Sequence, residues 1–176
     1  MALRVPTSLL SSADYQALNA DQRRSLESRI SYYVEIAKAG ANAALLSGPE
    51  FLAAIDDLEL DALSAMSAFS DPKTAVSPYR IHSSWLADCD RLVVRSHVSE
   101  STMRFLVSGH FLLDSPPEDL KRWLRGWAEL AQTTERDLEG ATSFSEVVSH
   151  LVVADAFLAA LLLFVSAVRL SSDAAI

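Results

Sequence analysis

The chain predicts an all-α fold: a single-domain bundle of five to six helices with a central hydrophobic C-terminal helix, a globin-like stack being a variant of the same class. Three observations predict it. Residues Leu151–Val168 read LVVADAFLAALLLFVSAV, interrupted by one charge, Asp155, and one hydroxyl, Ser166. A helix apolar on every side offers no face to water and must be enclosed. Upstream, apolar residues recur at three- and four-residue steps, the period of helices that each bury one stripe. The Gly48-Pro49 and Pro116-Pro117 pairs fall between those segments, and no convincing strand pattern appears.

The elements follow in order. Ser11-Ser-Ala-Asp14 predicts a cap for one short turn near the N-terminus. Asp21 is placed to cap a helix from Gln22 onward, with Leu26, Ile30, Val34, Ala37, Ala41 and Leu45 on one stripe. Gly40 inside that stripe weakens the helix by about 1 kcal/mol relative to alanine. Gly48-Pro49 ends it, and proline at a first helical position opens the next segment. There Phe51, Leu52, Ile55, Leu58, Ala62, Leu63, Met66 and Phe69 share a face. Ser70–Ser77 is the longest polar connection, and Ser77-Pro78 repeats the cap-then-proline pattern.

From there Ile81, Trp85, Cys89, Leu92, Met103, Val107 and Phe111 follow one stripe, with poor helix formers at 96–102 predicting a kink or break. Ser115-Pro-Pro-Glu118 predicts a capping box. The helix it opens carries Leu120, Trp123, Leu124, Trp127, Leu130, Ala131 and Leu138 on one side, and Gly140 stops it. A second box, Ser143-Phe-Ser-Glu146, opens the last helix, expected from about Phe144 to Leu170. Connections of two to eight residues imply antiparallel neighbours. No repeat or linker divides the chain, so residues 1–176 are expected to form one domain.

Three environments could enclose the greasy helix: a protein core, a dimer partner, or lipid. A span needs about 20 apolar residues, whereas the run after Asp155 extends only from Ala156 to Val165. A carboxylate near the bilayer centre costs roughly 2.5–3.5 kcal/mol. Arg169 is the lone flanking cation, so no positive cluster orients a span. The other helices carry stripes that need a surface to cover. A core helix is therefore expected, no membrane partner, and a homodimer face as the alternative. Asp155 becomes an expected buried charge that must be paired, hydrogen-bonded or protonated, with Arg95 and Arg104 as candidate partners.

Net charge is −8 and the pI is near 4.9. Such a balance favours solubility and disfavours nucleic acid and anionic surfaces, so no nucleic-acid partner is expected. Cys89, the single cysteine, rules out an internal disulfide. The first residues, Met-Ala-Leu-Arg-Val-Pro, lack the apolar run of a secretory signal, so a cytoplasmic location is expected.

Chemistry-bearing patterns are sparse, and no cofactor, metal or catalytic residue is assigned. Glu146 and His150 stand four apart but lack a second helix with matching ligands. Asp88-Cys89-Asp90 holds ligand types that point in different directions on a helix. The serines lack a Gly-x-Ser-x-Gly turn, and no glycine-rich loop could cradle phosphate. Two reserve readings remain. One is a globin-like helical protein that binds a small molecule or chromophore in an apolar pocket between the last helix and Trp85, Trp123 and Trp127. The other starts from Arg91-Leu-Val-Val-Arg-Ser-His97 and Arg104-Phe-Leu-Val-Ser-Gly-His110, each an arginine followed six positions later by histidine. This spacing loosely resembles the arginine–histidine element of the small all-helical HEPN ribonucleases, and that resemblance would imply RNA cleavage by one of the two pairs.

Surface charge carries the leading expectation. From Ala39 to Pro72 there is no lysine or arginine, while Glu50, Asp56, Asp57, Glu59, Asp61 and Asp71 are acidic. A continuous helix would turn Glu59 toward the apolar face and Leu60 outward. Either the helix slips register near Leu58, or Leu60 is an exposed knob ringed by carboxylates. The knob, made of Glu50, Asp56, Asp57, Glu59, Leu60 and Asp61, would suit a basic, partly hydrophobic protein partner. The expected function is a non-catalytic protein–protein interaction module of the adaptor, inhibitor, immunity-protein or secretion-chaperone kind.

Overall fold

A computed structural model describes residues 10–67 and 99–171. Every regular element among them is helical. They are α1 (Ala13–Gln16), α2 (Ala20–Ala43), α3 (Gly48–Ser67), α4 (Glu100–Ser108), a 3₁₀ turn (Gly109–Phe111), α5 (Pro117–Glu139) and α6 (Phe144–Ser171). The stripe residues Phe69, Ile81, Trp85, Cys89 and Leu92 lie outside the described residues.

Local chemistry explains most helix starts. Ser12 caps α1 by accepting from Tyr15 N. Ser99 caps α4 by accepting from Thr102 N, which places the expected break just before Glu100. At α6, Ser143 Oγ accepts from Glu146 N at 3.2 Å, as the box predicts. The Glu146 carboxylate reaches one residue further back than expected, to Thr142 N at 2.8 Å. Two expected caps are corrected. α2 is opened by Asn19, not Asp21: Asn19 Oδ1 accepts from Gln22 N, and Gln22 Oε1 accepts from Asn19 N. That reciprocal pair satisfies two amide donors at once, which Asp21, two residues later, could not do. Ser115 forms no box either. Pro116 is the cap residue of α5 and no side chain bonds the first amides, so the start rests on proline's fixed φ.

The core is organised around α6. It packs against α5, α3 and the 3₁₀ turn, with further contacts to α2 and α4, while α2 also lies against α5 and α3. Across its most apolar 18-residue window, mean hydropathy is 2.6 and 88% of the window is buried inside the protein. Phe157, Leu161 and Phe164 are fully enclosed. Among the described residues α6 is long and apolar enough to cross a membrane by length and composition, and here its neighbours cover it. Burying a leucine or phenylalanine of this kind contributes about 1.5–3 kcal/mol each.

Aromatic side chains lock α5 onto its neighbours. Trp123 stacks on Phe164 at 4.6 Å and on Phe105 at 5.5 Å between ring centres. Trp127 tilts against Phe157 and donates from Nε1 to the Phe157 carbonyl at 2.9 Å. Trp123 donates likewise to the Phe105 carbonyl at 3.0 Å. Tyr33 on α2 donates to the Ala131 carbonyl of α5 at 2.9 Å, so all three buried rings find an acceptor. These contacts reinterpret Gly40. A Cβ built there would sit 2.8 Å from Trp127 Cζ3, closer than packed carbons tolerate. The missing side chain, which also lowers its helix propensity, lets α2 approach the indole.

Among the described residues, two members of the expected apolar stripes are exposed. Leu45 projects into solvent after α2 ends, and Phe111 is 71% exposed because the helix tightens into the 3₁₀ turn and rotates it off the buried side.

Candidate functional site

The acidic segment lies on α3. Its helix runs without interruption through Leu58, Glu59 and Leu60, so no register slip occurs. Leu58 is buried on the core side. Glu50, Asp56, Asp57, Leu60 and Asp61 are exposed, and Glu59 sits at the boundary. Leu60 is 64% exposed. Asp57 and Asp61, at −3 and +1 from it, border it on the outward side of the helix.

Glu59 faces inward because a cation from another helix meets it. Arg169, near the end of α6, donates from Nη2 to Asp56 Oδ1 at 2.9 Å and also pairs with Glu59. The Glu59 side chain is 21% exposed, against 61% for Asp56. Hydrogen bonding to Asp56, ahead of the attraction of Glu59, pushes the Arg169 pKa further up and keeps its charge fixed. Two of the six candidate residues are therefore engaged in an ion cluster within the molecule. Such a half-exposed cluster is worth little in stability, on the order of 1 kcal/mol or less. It links α3 to α6 beside Leu60. Arg169 is the member that sequence reasoning leaves isolated. The legible signal is Glu59 itself, a carboxylate at an inward position that needs a cation from elsewhere.

The expected full burial of Asp155 is corrected, while pairing with Arg95 falls outside the described residues. Asp155 is half-buried, on the slim side of α6 that also carries the exposed Ser166, Arg169 and Leu170. Arg104 does not reach it. That arginine pairs with Glu100 one turn earlier on α4, in a largely exposed ion pair. Arg95 lies outside the described residues, as do Arg91 and His97 of the ribonuclease-like pattern. Arg104, the remaining arginine of that pattern, is thus a solvated partner of Glu100.

Of the expected pocket between the last helix and Trp85, Trp123 and Trp127, the part between α5 and α6 is filled by the rings of Trp123, Trp127, Phe157 and Phe164, and Trp85 lies outside the described residues. A shallow open trough of about 450 Å³ lies instead on the outer side of α2, lined by Arg24, Glu27, Ser28, Ser31, Tyr32 and Glu35. None of its lining residues is buried. Among the described residues no group of three His, Cys, Asp or Glu is placed to hold a metal ion. Glu146, one half of the Glu146/His150 pair, is occupied as the cap of α6.

No protein-family model, curated protein or solved structure matches the chain. Any functional reading rests on the geometry above.

Proposed function

We propose that the protein is a cytoplasmic, non-catalytic interaction module of the adaptor, inhibitor, immunity-protein or secretion-chaperone kind. In this reading the outer face of α3 docks a basic, partly hydrophobic protein partner. The observation that carries the reading is Leu60, a large apolar side chain 64% exposed between Asp57 and Asp61 on a helix whose opposite face is core. An apolar anchor contributes affinity when a partner desolvates it, and flanking charges speed and select the encounter. Glu50 extends the negative surface two turns and more toward the start of α3. Asp56 and Glu59, held by Arg169, serve as a fixed border rather than as free carboxylates.

The test is retention of a partner from lysate of the native cell on immobilised protein, compared across variants. Leu60→Glu and the double variant Asp57→Lys/Asp61→Lys should each lose the partner that wild type retains, with the helical circular dichroism and melting midpoint unchanged. Charge reversal at Glu27 and Glu35, on the α2 trough, should leave retention intact. Equal retention by wild type and the α3 variants would remove α3 as the docking surface, and no specific retention by wild type would remove the reading itself.

A further inference from the structure

We draw no further inference here: the strongest candidate, the exposed apolar corner that Phe111 and Leu113 of the turn after α4 form with Leu170 at the end of α6, carries nothing because nothing in the structure shows what covers it.

Discussion

Gly40 lies inside a helix and Gly140 at the end of one, and their surroundings give opposite consequences for an added methyl group. At Gly40 a methyl group would meet Trp127 at 2.8 Å, and the indole is held on both sides by Phe157 and α2. Gly40→Ala should therefore destabilise by about 1–3 kcal/mol, overpacking outweighing the helix-propensity gain. At Gly140 the nearest atom to such a methyl is 3.5 Å away and the backbone is right-handed, with φ of −85°. Gly140→Ala should be neutral or stabilise by up to about 1 kcal/mol. Urea unfolding of the two variants checks both signs.

Tyr33 makes a pH prediction at the same scale. Burial first, with help from nearby carboxylates, raises its phenol above the ordinary value of 10.0. A pKa raised in the folded state means that above pH 10 the unfolded chain loses this proton while the folded chain keeps it, so stability falls as pH rises. Tyr15, raised by burial and by its bond to Glu27, acts in the same direction. Tyr33→Phe should remove part of the alkaline slope and lower stability at neutral pH by about 1 kcal/mol, the loss of one buried hydrogen bond. Denaturant midpoints at pH 7 and above pH 10 measure both effects.

Among the elements, α6 is tied down at its last turn from two directions. Arg169 reaches α3, and Ser171, 2% exposed, accepts from Asp114 N at 2.8 Å while donating to the Ala167 carbonyl. Asp114 adopts a left-handed backbone, φ 61°, and the Ser171 hydroxyl is the acceptor that holds this turn against α6. Ser171→Ala should cost about 1–3 kcal/mol, because it strands a partly buried amide. Arg169→Met should cost less than about 1 kcal/mol, and its effect should shrink as salt is added. Thermal melts of both variants in low and high salt distinguish the two ties.

Among the described residues, helix ends were largely legible because their causes are local. Gly48-Pro49, Ser99, Gly140 and Ser143-x-x-Glu146 mark boundaries within a few residues of themselves. Where two local signals competed, the reciprocal one won, which is why Asn19-x-x-Gln22 and not Asp21 opens α2. Long-range pairing was not legible. Arg169 and Asp56 are 113 positions apart, and no local pattern joins them. Glu59 and Leu60 showed only that something unusual happens there; the unbroken course of α3 decides for the knob, and the pairing with Arg169 explains Glu59.

For the molecule as a whole, a net charge of −8 and a predominantly apolar α6 are compatible because the neighbouring helices cover most of that helix. The chain can expose Leu60 cheaply since its core does not depend on it. Leu60→Ala should change stability by less than about 0.5 kcal/mol, whereas Leu161→Ala or Phe164→Ala should cost about 2–5 kcal/mol through lost burial and a cavity. Such a division, with a core indifferent to the outer face of α3, is what a docking surface requires.

Amide hydrogen exchange of Phe157–Val165 in detergent-free buffer tests the enclosure of α6 most directly. If the neighbouring helices sheath it, these amides exchange only through global unfolding, and lipid vesicles added at neutral pH leave their protection unchanged. Rapid exchange in buffer, or protection gained only with lipid or detergent, would contradict the enclosed core on which the surface assignment rests.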